Sequence, residues 1–204
     1  MIWDLNNLSE CVSARMSKPR FSHTLGVLKM AKALSGFCLP EYMDQISAAA
    51  LLHDITKELS QQEQLRIMER FNVILPYDAD ECPQVLHSFT APFIIKEELP
   101  IYATDEILSA VKKHTIGSDD MSIFDEIIFI SDYAEEGRTY SNCIEVREYM
   151  LSSMKSGETE SNCRILHKAC ILAIENTISH LEAKNAFIAP EVYLAKKALE
   201  AKII

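Results

Sequence analysis

The sequence predicts an all-α protein, a compact helical bundle in a single domain. Three observations carry that prediction. Glycine is scarce, with five in 204 residues. The apolar residues recur with helical rather than alternating period. Capping residues and prolines punctuate the chain at helix-length intervals. An apolar fraction of 48% is enough for a substantial core.

Taken in order, the first helix is expected over about residues 4–16. Pro19 and Ser22 punctuate before a second that runs to about Leu34, and Gly36 and Pro40 mark the next break. Tyr42 to Asp54 reads as the third helix. Ser60 with Glu63 forms a capping-box pattern that opens a fourth, ending near Phe71. Pro76 and Pro83 bracket an acidic loop. Helices follow over about 84–98 and 105–115, with a turn over Gly117 to Asp120. Ser122 with Asp125 starts another helix through about Glu135, where Gly137 breaks it. A helix over about 142–154, a polar loop from Ser156 to Ser161, a long helix over about 163–184 and a last one opened by Pro190 complete the chain. No strand, repeat or low-complexity segment is read.

The formal net charge of −10 argues against nonspecific binding to nucleic acid or anionic membranes. No apolar run approaches the length needed to span a bilayer. The start, Met1 to Asn6, has no basic segment followed by an apolar one, so no signal peptide is read and a cytoplasmic location is expected. Six scattered cysteines without a Cys-x-x-Cys pair read as reduced, mostly buried thiols. The apolar strip Val192, Ala195 and Leu199 leaves two alternatives open, packing on the core or on a second copy in a homodimer.

The organising stretch is Ala48-Ala49-Ala50-Leu51-Leu52-His53-Asp54, with Lys57 three residues on. An unpaired carboxylate in an apolar helix is costly unless a cation or hydrogen-bond donors compensate. Positions three, four and seven apart share a helix face. By that rule His53 falls with Ala49 and Ile46, and His23 with Val27, Met30, Ala31 and Leu34. His114 falls with Val111 and Ile107, and Asp132 with Ile128 and Phe124. Each alone has an ordinary structural reading, such as a core histidine bonded to a carbonyl. Together they place metal-capable groups on the inward faces of four helices, as a two-metal hydrolase requires. The face of His87 is undecided. His167, next to Arg164 and Lys168, is expected to face solvent, and His180 to be structural or partly exposed. Arg138 reads by itself as a surface residue flanked by Glu135 and Glu136. Lys57 reads as a partner of Glu58 or a helix C-terminal cap.

Arg20-Phe21-Ser22-His23-Thr24, His53-Asp54, Lys57, His87, His114-Thr115-Ile116-Gly117, Asp132-Tyr133-Ala134-Glu135-Glu136-Gly137-Arg138 and Glu175-Asn176-Thr177 follow one another in order. The set resembles the HD-domain metal-dependent phosphohydrolases, and more narrowly the bacterial HD-type symmetrical bis(5′-nucleosyl)-tetraphosphatases. The resemblance implies a helical domain of the HD type over residues 1–204, with a core over about 18–140 and the helices of about 142–204 packed on it. It also implies a centre of two metal ions, iron first, with manganese, cobalt, nickel or zinc as alternatives. The implied ligands are His23, His53, Asp54, His87, His114 and Asp132, with Asp54 bridging. Asp54, Lys57 and Arg138 would be catalytic; Arg20, Lys57, Thr115, Gly117 and Arg138 would contact substrate. The implied reaction is hydrolysis of diadenosine tetraphosphate to two ADP. Other HD-type activities on a nucleoside monophosphate, a deoxynucleotide or a cyclic dinucleotide are alternatives. So are a non-catalytic nucleotide sensor and a metal-free helical interaction protein. The chain has Ser88-Phe89 after His87 where the family usually has Gly-Pro, and Glu136 where it usually has Pro. Phe89 would narrow the pocket, and Glu136 would set a negative charge beside the phosphate site.

Overall fold

Three consecutive alanines decide where the centre of the fold lies. Ala48, Ala49 and Ala50 are each fully buried, so neighbouring helices approach that segment from all sides. The computed structural model describes residues 3–203. Met1 and Ile2, part of the stretch read for a signal peptide, and Ile204 lie outside the described residues.

Ten α-helices and no strand occur among the described residues. They are α1 (Leu5–Ser13), α2 (Lys18–Cys38), α3 (Met43–Leu52), α4 (Gln61–Arg70), α5 (Leu86–Glu98), α6 (Asp105–Lys113), α7 (Ile123–Ala134), α8 (Ser141–Ser153), α9 (Thr159–Ala183) and α10 (Pro190–Lys202). Single 3₁₀ turns at Pro40–Tyr42, Pro83–Val85 and Pro100–Tyr102 stand where a proline opens a short connection. Helix α3 packs on α1, α2, α6 and α7. Its buried residues, Ile46 to Leu52 without a gap, match a helix enclosed on every face. Helix α9 lies across α2, α7 and α8, and α10 lies on α9.

Several boundaries differ from the sequence expectation, each for a local reason. Helix α2 starts earlier, because Ser17 is the cap, accepting from Arg20 N, and Pro19 sits in the first turn. It also runs through Gly36 to Cys38. Burial of Leu34, Ser35 and Cys38 outweighs the roughly 1 kcal/mol cost of a helical glycine. The helix stops at Leu39, held out of helical geometry by Pro40. Helix α9 begins at Thr159, inside the segment expected to be loop. Helix α3 ends at Leu52 rather than Asp54. The chain continues through turns closed by Ile55 N to Leu52 O, Lys57 N to Asp54 O and Leu59 N to Thr56 O, which satisfy carbonyls at a buried helix end. The capping boxes at Ser60/Glu63 and Ser122/Asp125 are both formed.

The strip Val192, Ala195 and Leu199 is buried within this chain, on the side where α10 meets α9. His167 is also inside, not solvent-facing. It shares a stripe with Cys170, Ile171 and Ile174, which are buried, and its charged sequence neighbours point elsewhere. His167 Nδ1 lies 2.6 Å from Glu126 Oε2. His180 is exposed.

Candidate metal centre

Two helix C-termini aim imidazoles at one point. His53 caps α3 and His114 caps α6. Each donates Nδ1–H to a carbonyl three residues back: His53 to Ala50 O at 2.8 Å and His114 to Val111 O at 2.7 Å. An unsatisfied terminal carbonyl thereby sets both ring orientation and tautomer. The lone pair is left on Nε2, and the negative ends of two helix dipoles favour a cation there. His23 reaches the same point from α2, with Nδ1–H donating to Glu135 Oε1 at 3.1 Å. His87 enters from the first turn of α5 and settles the face that periodicity left undecided: it is buried and turned inward.

Asp54 stands among the four rings. Its Oδ2 lies 3.4 Å from His53 Nε2 and 3.8 Å from His23 Nε2. Its Oδ1 lies 3.1 Å from His87 Nε2 and 3.7 Å from His114 Nε2. The two oxygens of one carboxylate therefore face two separate histidine pairs. Ligand atoms of His23, His53 and Asp54 lie within 4.8 Å of one another, as do those of Asp54, His87 and His114. Asp132, on the last turn of α7, brings Oδ1 to 2.9 Å from His23 Nε2 and 4.0 Å from His53 Nε2. Despite these approaches, the buried Nε2 atoms of His23 and His53 make no well-directed hydrogen bond among the described residues. Imidazole lone pairs buried without a donor, beside shared carboxylates, are what a first-row divalent cation would satisfy.

The electrostatics agree with that use. Burial by itself would raise the pKa of Asp54, but the imidazoles of His53, His114 and His87 gathered around it hold it well below the usual carboxylate range. Burial likewise opposes ionisation of Asp132, and the imidazoles of His23 and His53 with the Arg138 guanidinium keep it ionised. His87 is pushed down to about 4 by burial, with further lowering from His114 and Lys57. Its ring is neutral at neutral pH, as coordination requires.

Glu135 is the group that sequence reasoning missed. It is buried, accepts from His23 Nδ1, and takes the Gly137 amide N–H at 2.5 Å. A Cβ on Gly26 would collide with Glu135 Oε2, and one on Gly137 would stand 2.8 Å from Oε1. Two glycines thus make room for one carboxylate, and a glycine three residues after His23 in an apolar helix was the available signal. Arg147, from α8, closes this corner by donating to Glu135 O at 2.6 Å and Ala134 O at 3.1 Å.

The remaining residues divide. Arg20 Nη1 donates to Asp54 Oδ2 at 2.8 Å, and its buried Nε has no partner among the described residues. Arg138 donates to Asp132 through Nη2 at 2.8 Å and through Nε to the backbone carbonyl at 3.0 Å. Lys57 pairs neither with Glu58 nor with its own helix end. It donates to Gln84 O at 3.0 Å and lies 3.3 Å from His87 Nδ1. Thr115 bonds Ser88 Oγ and lines a depression shared with His114, Asp132 and Arg138. Gly117 is not brought to that depression. Its φ is +71°, and any Cβ placed on it would stand 2.8 Å from the Ala195 methyl of α10, so it has a structural reason for being glycine. Phe89 lies with Gly117 in a separate depression, away from Asp132. Glu136 points outward to Lys29 Nζ at 2.7 Å, so its charge is not beside Arg138.

A protein-family model described as HD domain matches residues 20–137. Over 185 residues the chain is 29% identical to the "Bis(5'-nucleosyl)-tetraphosphatase, symmetrical" of Bacillus subtilis (strain 168), covering 90% of this chain and 91% of that one. It is 30% identical over 141 residues to the protein of the same description from Staphylococcus aureus (strain NCTC 8325 / PS 47), covering 66% and 68%. A crystal structure from Clostridium acetobutylicum, described as a predicted HD superfamily hydrolase involved in NAD metabolism, superposes with a TM-score of 0.84. It shares 24% identity and covers 99% of this chain and 100% of that one.

Proposed function

This chain belongs to the HD-domain family and is a metal-dependent phosphohydrolase; from that premise we propose that it cleaves diadenosine tetraphosphate, or a related dinucleoside polyphosphate, with water at the centre of the phosphate chain to give two ADP. One observation carries the reading. The single carboxylate of Asp54 presents one oxygen to His23 and His53 and the other to His87 and His114, which suits a bridge between two cations. Asp132, beside His23 and His53, would help hold one of them. Bound there, two divalent cations (iron first by the family resemblance, with manganese, cobalt, nickel or zinc also compatible with imidazole and carboxylate) would supply Lewis-acid charge and acidify a water.

The chain's own residues do the rest. Arg20 offers its unpaired Nε–H and Arg138 its guanidinium to phosphate oxygens, where planar donors fix orientation as well as charge. Lys57 has a conditional role. As an ammonium beside His87 Nδ1 it faces a ring acceptor, so the ring proton sits on Nε2, between Asp54 Oδ1 and His114 Nε2. If His87 held a cation through Nε2, its ring proton would sit on Nδ1, and the Lys57 ammonium would be free to meet a phosphate oxygen. Glu135 holds His23 by its Nδ1–H, and the Nδ1 bonds of His53 and His114 hold theirs.

The test is product analysis on metal-quantified protein. Diadenosine tetraphosphate should give ADP alone by anion exchange. AMP with ATP would move the point of attack off centre and overturn the symmetric reading. Metal without turnover would transfer the site to another phosphate ester.

A further inference from the structure

The depression beside Arg138 does not end at the metal centre. It is lined by Tyr133, Tyr140, Cys143 and Thr177 as well as by His114, Asp132 and Arg138. Those same four residues line a second hollow that continues along α9 to Asn176, His180 and Lys184. The inner part measures about 200 Å³ and the outer about 310 Å³, together the scale of a small-ligand site.

Four features of this groove point to one kind of ligand. Among the described residues its only carboxylate is Asp132, whereas three other depressions on this acidic chain each carry two: Glu41 and Asp44, Glu135 and Glu136, Asp120 and Glu191. Its outer end holds Lys184 and His180. The ring of Tyr140 lines both hollows and is 73% exposed, a flat apolar face turned largely to solvent. Deeper in, the buried Tyr133 Oη has no hydrogen-bond partner among the described residues, and the Asn176 amide lies beside it.

We propose that this groove seats one nucleoside of the substrate, with the base stacked on Tyr140, its polar groups met by Asn176 and the Tyr133 hydroxyl, and the phosphate chain running inward past Arg138 to Asp132 and Asp54. The proposal rests on the reading of the substrate as a nucleoside polyphosphate. It adds the residues that recognise the nucleoside and gives the path between base and reacting phosphate. It also accounts for Tyr140 and Asn176, which hydrolysis at the metal centre alone leaves without a task.

The test compares ADP with inorganic pyrophosphate, which has no base, by calorimetry on the metal-loaded full chain. Base–aromatic stacking predicts that Tyr140→Ala weakens ADP about tenfold and pyrophosphate less than about twofold, while Tyr140→Phe keeps ADP within about twofold of wild type. Tyr140 is exposed and makes no side-chain cap for α8, so neither variant threatens folding. ADP affinity indifferent to Tyr140→Ala, equal losses for both ligands, or no ADP binding by wild type would overturn the groove. Turnover reports separately on the reaction. A wild type that binds ADP through Tyr140 yet leaves diadenosine tetraphosphate intact would sink the symmetric hydrolase and keep the groove. One that cleaves it with affinity blind to Tyr140 would do the reverse.

Discussion

Helix α7 carries one carboxylate of consequence near each end, Glu126 in its first turn and Asp132 in its last. Around Glu126, which is fully buried, the charges close on themselves. Oε2 meets His167 Nδ1 at 2.6 Å, Oε1 meets Lys202 Nζ at 2.7 Å, and Lys202 also donates to Met121 O at 2.6 Å. One carboxylate thereby ties α7 to α9 and α10. Around Asp132 and Asp54, four imidazoles converge with too few donors, and two ring nitrogens are left buried and unpaired among the described residues. Both clusters put histidine against carboxylate inside a helical bundle. Only the second is incomplete as it stands. Buried charge whose every atom has a counterpart is explained by the fold, whereas buried acceptors left over ask for a ligand.

Substitution at either cluster separates their roles. Asp54→Ala has the largest expected effect: activity falls by about 10³-fold or more, as loss of a metal-bridging ligand implies, and metal analysis finds the centre depleted. Circular dichroism should show helical content largely retained, and an active variant would remove Asp54 from the centre. At the other cluster, Glu126→Ala leaves His167 and Lys202 without their partner and should lower stability by about 3 kcal/mol. Denaturant melts read that loss, and kcat with metal bound should stay near wild type. A metal-depleted Glu126 variant would mean that the two clusters are not independent.

Arg138→Ala should cost about 10- to 100-fold in kcat/KM with metal content intact, because it removes a phosphate donor and not a ligand. If the metal leaves with it, Arg138 instead holds Asp132 in place. Gly26→Ala sharpens the comparison further, since the new methyl displaces Glu135 from His23. Loss of such an outer partner predicts roughly tenfold weaker metal binding by chelator competition, and unchanged affinity would show that His23 needs no help from Glu135. Smallest of all, Lys202→Met removes a partly exposed arm of the Glu126 cluster and should cost about 1 kcal/mol by thermal melting.

Much of this was readable in the linear chain, because helical period is a local property. Counting by threes and fours turned His23, His53, His114 and Asp132 inward, and the Ser60 and Ser122 capping boxes marked two helix starts correctly. The same rule applied to His167 with Cys170, Ile171 and Ile174 would have turned it inward too; its charged neighbours at Arg164 and Lys168 misled because adjacency in sequence is not adjacency on a helix face. Periodicity fell silent on His87, and the reading of Lys57 as a partner of Glu58 or a helix cap missed its actual neighbours, Gln84 O and His87, because both come from a segment 27 to 30 residues away.

Local spacing therefore settles which side chains face the interior and which helices carry them, since 3.6 residues per turn ties face to spacing. The tertiary structure alone decided who meets whom. It set the two oxygens of Asp54 against different histidine pairs, brought Glu135 to His23 from 112 residues away, turned Glu136 out to Lys29 and placed Gly117 under Ala195. Those pairings depend on how helices cross and how closely their backbones approach, and both follow from packing volume summed over the whole core rather than from any local pattern.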